Sequence, residues 1–473
     1  MEELYKIYLA GEFRTTADKL TVFNPHTNKE IATTYRAGDA ELGEAIRKAL
    51  SVKDILTDLP SGQKYGILMQ IASEMKREKQ DLARIITAES GKPIRYALGE
   101  VDRAIQTFTI AAEESKRLPG EYIDIEWTAA GEGKEAIVRY FPTGLVAGIS
   151  PFNFPLNLAV HKLAPAIAAG CPIILKPSSS TPLSTLRLAQ IIDNTELPKG
   201  AVSILPMSRE TGNSMVTDER FSLLTFTGSP VVGWKMKSRA GKKKVILELG
   251  GNAGVIVSES ADLDKAVKKC IIGSFAYSGQ VCIHTQRIYV QKKIFDEFTR
   301  KFIAAVKTLK KGDPIEEHTD ISSMIDDANA ERVENWVKEA LESGAELLCG
   351  GNRHESYYEP TVLTNTSSSM KVCGLEIFGP VVTIEKYTDF KDALEDINDS
   401  RYGLQAGVFT NEISQMNDAF RHLEVGGIII NDIPGFRVDH MPYGGVKDSG
   451  LGREGVKYSI MDMLEPRLLV KDK

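Results

Sequence analysis

"FPTGLVAGISPFNFPLNLAV", residues 141–160, carries no charged side chain and is long enough to cross a bilayer. Its prolines decide against that. Pro142, Pro151 and Pro155 interrupt the apolar run where a strand, a turn and a helix need punctuation. The stretch therefore predicts a buried strand followed by a buried helix.

Working outward, "GLVAGIS", "PIILKP", "AVSILP", "SLLTFT" and "KVILEL" are apolar runs separated by helix-length segments, the signature of a parallel sheet in an α/β domain. The alternation begins again after Gly251 with "AGVIVS", "QRIYVQ", "VVTIEKY", "QAGVFT" and "GGIIIND", predicting a second α/β domain. Residues 40–118 have helical apolar spacing. "EYIDIEWTAAGEGKEAIVRYFP" has two β-rich arms around Gly131 and Gly133, a hairpin. The terminal "EPRLLVKDK" is an apolar strand that needs a partner, expected to be the hairpin of another subunit. No internal repeat is visible.

The 473 residues are 42% apolar and 26% charged, enough for two or three cores. A net charge of −6 gives no reason to seek nucleic acid or anionic lipid. Five widely spaced cysteines without CxxC or a Cys/His cluster argue for reduced thiols in a cytoplasmic protein and against a zinc site. "MEELYKIYLAGEFR" lacks the basic start and cleavage site of a signal peptide.

No GxGxxG or GxxxxGK[ST] follows any of these strands, so phosphate would be held differently. "FTGSPVVGWKMK" offers Gly228 and Ser229 before a helix whose N-terminus could receive a pyrophosphate, with Gly233 allowing close packing; the alternative is a simple turn and cap. Lys176 ends a strand at the edge where open α/β sheets bind ligands, and a solvated lysine is its plainer reading. Glu248 ends an apolar strand before two glycines. A buried carboxyl there is costly unless paired or neutral, which makes it a candidate general base. Cys171, Cys270 and Cys349 suit core filling, and Cys373 suits a structural position. Cys282, in "SGQVCIHTQR", has turn-forming and polar neighbours suited to an accessible nucleophile. His284 could pair with it as the base of a thiol esterase.

Together, "PFNFP" (151–155), Lys176 in "LKPS", "FTGS" (226–229), "ELGG" (248–251), "GQVC" (279–282), "IFGPV" (377–381) and "PYGGVKDSGLGREG" (442–455) resemble the aldehyde dehydrogenase superfamily over nearly the whole chain. Within it the chain resembles the branch acting on lactaldehyde, glyceraldehyde 3-phosphate without phosphorylation, phosphonoacetaldehyde or semialdehydes. The resemblance implies two doubly wound, Rossmann-like parallel-sheet domains and a small β oligomerisation element. Residues 1–120 and 142–250 would bind cofactor, 251–440 would be catalytic, and 121–141 with 454–473 would assemble a homodimer or homotetramer.

By the same resemblance Cys282 is the nucleophile, Glu248 the base, and Asn153 half of an oxyanion hole completed by the Cys282 N–H. Lys176 would contact the adenosine ribose, Ser229 the pyrophosphate, and Glu376 with Phe378 the nicotinamide ribose and ring. Where many NAD-preferring relatives carry a ribose-binding glutamate, this chain has Ser179; NADP should be accepted alongside NAD, with Arg209 a candidate phosphate partner. Positions matching the substrate tunnel hold Arg103, His161 and Arg437, and Tyr443 replaces the usual phenylalanine. Such groups suit a small polar or anionic aldehyde unless they pair with Asp102 or Asp439. Val281 stands where some phosphate-recognising relatives have another arginine. The rival chemistries are a coenzyme A-acylating dehydrogenase, against which Glu248 counts, a Cys/His esterase without nicotinamide, and a non-catalytic relative.

Overall fold

The computed structural model describes residues 3–473. The opening stretch forms strand Val146–Ile149 and helix Asn157–Ala169, with Pro151 and Pro155 in the loop between them. All 13 residues of that helix are buried, which is why its sequence is apolar on nearly every side. No helix among the described residues is long and apolar enough to cross a membrane.

The first sheet runs Gly450–Leu451, Lys244–Glu248, Leu223–Thr227, Val146–Ile149, Ile173–Lys176, Val202–Ile204, Ile7–Leu9, Glu12–Arg14. Its five central strands are parallel and its flanking ones antiparallel. Alternate residues feed two cores, Val146 and Leu223 on one face and Ala147 and Leu224 on the other. The chain enters the parallel sheet in its middle, at Val146–Ile149, and later strands are added on both sides. The winding therefore reverses there, opening a crevice beyond the carboxyl ends of Val146–Ile149 and Leu223–Thr227.

The second sheet runs Glu346–Cys349, Thr361–Thr364, Val381–Tyr387, Arg287–Gln291, Gly254–Val257, Gln405–Phe409, Gly427–Ile430. Only Glu346–Cys349 is antiparallel. That strand and Thr361–Thr364 were not anticipated, because both are short and follow a long helix without clear alternation.

Two expectations about the carboxyl terminus need correction. Strand Leu464–Asp472 pairs with Lys134–Pro142 of its own chain, from Leu464 opposite Pro142 to Asp472 opposite Lys134, and not with another subunit's hairpin. The hairpin arm offers a free edge within reach of the tail, so closure within the chain needs no partner. Residues 454–463 are also not part of this small sheet: helix Val456–Asp462 buries Val456 and Ile460 in the first domain's core. The small sheet is thus Leu464–Asp472, Lys134–Pro142 and Gly120–Ile123.

Candidate active site

Asn153, Glu248 and Cys282 share one cleft of about 610 Å³ with Gly228, Ser229, Glu376 and Phe378. A larger, open groove of about 700 Å³ between helices Leu263–Phe275 and Phe295–Val306 contains none of these residues.

The cysteine loop is backbone held against its preference. Tyr277, Ser278 and Gly279 take φ of 51°, 52° and 68°, a left-handed run that the first two adopt only under constraint. Tyr277 Oη donates to the Ser90 carbonyl at 3.1 Å and Ser278 Oγ to that of Ser322 at 2.7 Å. A Cβ on Gly279 would stand 2.1 Å from the Gly379 oxygen. The loop delivers Cys282 with its Sγ 3.0 Å from Tyr443 Oη. Burial pushes the thiol up to about 11, opposed by that hydrogen bond and by Arg437.

Asn153 follows strand Val146–Ile149 and reaches across to the cysteine loop. Its Nδ2 donates to the Gln280 carbonyl at 3.0 Å, and its Oδ1 accepts from Phe154 N at 3.1 Å. One amide proton is left to face the cleft. Glu248 ends its strand buried, with Oε1 accepting from Glu454 N at 3.3 Å and Oε2 without a partner. Burial, then the Glu454 charge, hold its proton affinity well above the carboxylate range, against the pull of Arg437 and Lys162.

The glycines around the crevice allow close packing of the protein on itself. A Cβ on Gly228 would lie 2.6 Å from the Phe226 ring, and one on Gly233 would lie 2.5 Å from Leu249. Ser229 begins helix Pro230–Arg239 without capping it through its side chain, leaving the first N–H groups for an anion. Glu376 accepts from Gly251 N at 3.0 Å, and burial lifts its carboxyl to about 7. Phe378, at φ 45°, meets Phe152 edge-on at 5.8 Å. Lys176 and Ser179 lie outside this cleft. Lys176 ends the neighbouring strand, lowered to about 8 by burial and by Arg209 and Arg36, while Ser179 borders a separate hollow of about 650 Å³.

The residues matched to the substrate tunnel do converge, but on protein carboxylates. Arg103 binds Asp439 through Nη2 at 2.7 Å and Nε at 3.2 Å, and His161 Nε2 donates to the same carboxylate at 2.8 Å. Arg437 Nη2 donates to Glu454 at 2.9 Å, and its guanidinium lies 3.7 Å from the Tyr443 ring centroid. Burial raises the proton affinity of Asp439, but His161 and Arg103 overcome it and keep it ionised. Burial and Arg437 lower that of His161. Against burial, Lys162, His161 and Arg437 bring Glu454 down to about 2. The pairing of Arg103 with Asp439 was the alternative weighed from sequence. Asp102 instead meets Lys79 at 2.7 Å.

Lys162 and Glu454 were missed as network members. Lys162 Nζ donates to Thr225 Oγ1 at 3.1 Å, Thr227 Oγ1 at 2.8 Å and Glu454 at 3.4 Å, three acceptors for the three protons of an ammonium. A lone lysine within the apolar run "LAVHKLAPAIAA" was the available signal.

His284 does not serve Cys282. Its Nε2 donates to the Ser274 carbonyl at 2.9 Å, and burial lowers the ring to about 4. All five cysteines are free; Cys171, Cys270 and Cys373 are buried, while Cys349 is only half-buried on its edge strand. Among the described residues no group of three or more His, Cys, Asp or Glu could hold a metal ion.

By its fold and crevice the chain is a two-domain α/β enzyme. A profile described as "Aldehyde dehydrogenase family" matches residues 13–469. The chain belongs to the aldehyde dehydrogenase family and is an NAD(P)-dependent aldehyde dehydrogenase. It is 44% identical to a 3-sulfolactaldehyde dehydrogenase of Priestia megaterium over 98% of each chain. It matches the structure of aldehyde dehydrogenase 21 from Physcomitrella patens, complexed with the reaction product succinate, with a TM-score of 0.98 and 47% identity over 100% of this chain and 99% of that one. Glyceraldehyde-3-phosphate dehydrogenase GapN from Methanocaldococcus jannaschii, complexed with NADP, matches with a TM-score of 0.93 and 39% identity, over 97% of this chain and 100% of that one.

Proposed function

We propose that the chain oxidises a small anionic aldehyde, carrying a carboxylate, sulfonate or phosphate at its far end, to the corresponding acid. The observation that carries the substrate class is a pair of guanidinium groups near the thiol. Arg437 lies over the ring of Tyr443, whose hydroxyl touches Cys282, and the part-buried Arg103 shares Asp439 with His161, which adjoins Arg437. Guanidinium groups so placed suit the oxygens of an anionic ligand. The names of two relatives agree: a sulfonated aldehyde in one and succinate as product in the other. Lactaldehyde and glyceraldehyde are the uncharged comparators.

In this reading the Cys282 thiolate adds to the aldehyde carbon, and the new oxyanion is held by the free Asn153 amide proton and the Cys282 N–H. The nicotinamide, when bound, supplies the hydride acceptor. Glu248 then takes a proton from the water that opens the thioester; its raised proton affinity makes it a strong base once ionised. Residues 1–120 and 142–250 supply the cofactor-binding half and 251–440 the catalytic half. Ser229 and the helix N-terminus would hold the pyrophosphate, and Glu376 and Phe378 the nicotinamide side. Lys176 would hold the adenosine end, where nearby Arg209 and Arg36 favour a 2′-phosphate and hence NADP as well as NAD. The hairpin 120–142 and strand Leu464–Asp472 would form the contact between subunits.

Cys282→Ser should abolish reduced-nicotinamide formation while nucleotide still binds. Succinic semialdehyde and 3-sulfolactaldehyde should exceed hexanal in kcat/KM by at least about 100-fold, roughly the value of one charge-assisted pair. Arg103→Ala should narrow that gap. Faster turnover of hexanal, with Arg103→Ala leaving the ranking intact, would refute the anionic reading.

A further inference from the structure

A two-residue bridge supports both reacting side chains. Tyr443 N donates to the Glu454 carbonyl at 2.9 Å, Glu454 N returns to Tyr443 O at 2.6 Å, and the same Glu454 N lies 3.3 Å from Glu248 Oε1. Tyr443 is 3% exposed, so its ring has little freedom. Its hydroxyl stands 3.0 Å from Cys282 Sγ, and the Arg437 guanidinium covers one face of the ring at 3.7 Å. A phenylalanine would fill the same space. The hydroxyl is therefore not required for packing.

We propose that Tyr443 is a further catalytic residue, whose hydroxyl donates a hydrogen bond to the Cys282 sulfur and stabilises the attacking thiolate, with Arg437 behind the ring strengthening that donation. The direction of the bond follows from acidity. A thiol ionises before a phenol in comparable surroundings, and burial raises both groups. The phenol thus keeps its proton, and the thiolate accepts. Hydrogen bonds to a charged acceptor are stronger than to a neutral one, so the contact shifts the thiol towards its ionised form. A cation on the ring face is attracted by the π electrons and adds positive potential on the sulfur's side.

The thiol proton leaves to water in the cleft, and Tyr443 gains and loses none. When the carbon–sulfur bond forms, the carbonyl π electrons move to oxygen and the sulfur loses its charge. Tyr443 accordingly acts on the nucleophile before addition, and Asn153 on the oxyanion after it. The proposal rests on Cys282 being the nucleophile.

The test is alkylation of Cys282 by iodoacetamide, in which sulfur displaces iodide, followed against pH by peptide mass mapping in the intact enzyme. Tyr443→Phe should raise the midpoint of the profile by about one pH unit, giving about tenfold slower alkylation on the acid side. It should also lower kcat far more than it changes KM. 3-Fluorotyrosine at position 443, a more acidic donor, should move the midpoint the other way. A Tyr443→Phe profile that superimposes on the parent's, or moves down, overturns the proposal. Should Tyr443→Phe lose its fold, seen as lost nucleotide binding, the fluorotyrosine enzyme decides, and an unmoved midpoint overturns the proposal. No aldehyde is needed, so the outcome is independent of the substrate reading. Retained turnover in Cys282→Ser would instead defeat the nucleophile assignment.

Discussion

Ser179, which borders a hollow separate from the cleft but lies three residues after Lys176, and Glu376 test the two ends of the proposed nucleotide site. Ser179→Glu should cut the NADP-to-NAD ratio of kcat/KM by at least about tenfold, since a carboxylate near a 2′-phosphate costs at least about 1.4 kcal/mol; an unchanged ratio would sink the idea. Glu376, lifted to about 7, loses a charged acceptor when protonated. Nucleotide affinity should therefore weaken as pH falls through about 7, and calorimetry on Glu376→Gln should find that dependence gone. That Cys282, Glu248 and Asn153 meet in one cleft could be expected from sequence, the first two from their unusual neighbours and Asn153 from the resemblance of its motif. Lys162 and Glu454 were not, because they are 292 residues apart and only packing reveals that both are buried. Sequence likewise put Arg103 and Arg437 in the right neighbourhood but could not count the carboxylates they meet.

Helix Pro230–Arg239 packs closely on the residues after strand Lys244–Glu248 through Gly233. Gly233→Ala places a methyl against Leu249, and overpacking of that kind costs about 1–3 kcal/mol. The helix should shift outward, with a lower melting temperature and weaker nucleotide binding by fluorescence titration. Apart from Thr361–Thr364, the parallel strands of both sheets were readable from apolar runs, since buried parallel strands have few other compositions. The destination of the tail was not, because pairing with its own hairpin or another's leaves the same sequence pattern. Leu468 and Val470 remain 59% and 45% exposed on one face of this edge strand and Leu469 58% exposed on the other, apolar surface of the kind that subunits cover. On the proposed subunit contact, light scattering should find the parent oligomeric and a variant lacking residues 464–473 monomeric; a monomeric parent enzyme would contradict that role.

Buried acids set the stability of the molecule against pH. Burial raises Glu89 to about 8 from an ordinary 4.5. Its contribution is therefore fully present below about pH 4.5 and is lost as pH rises through about 8. Glu454 has the opposite sign: drawn down to about 2, it contributes above 4.5 and loses that contribution as pH falls through about 2. The melting temperature should thus decline between about pH 4.5 and 8, and scanning fluorimetry of Glu89→Gln should show a flatter decline.

The return of the chain after residue 440 also constrains recombination between relatives. Gly450–Leu451 is hydrogen-bonded to Leu247 and Glu248 in the first sheet, and helix Val456–Asp462 is embedded in the first domain's core. A single crossover near residue 251 would join one parent's Glu248 to another's Tyr443 and Glu454, splitting the bridge on which both depend. The exchangeable catalytic block is therefore internal, with junctions near residues 251 and 440, and the carboxyl-terminal segment must be inherited with the amino-terminal half.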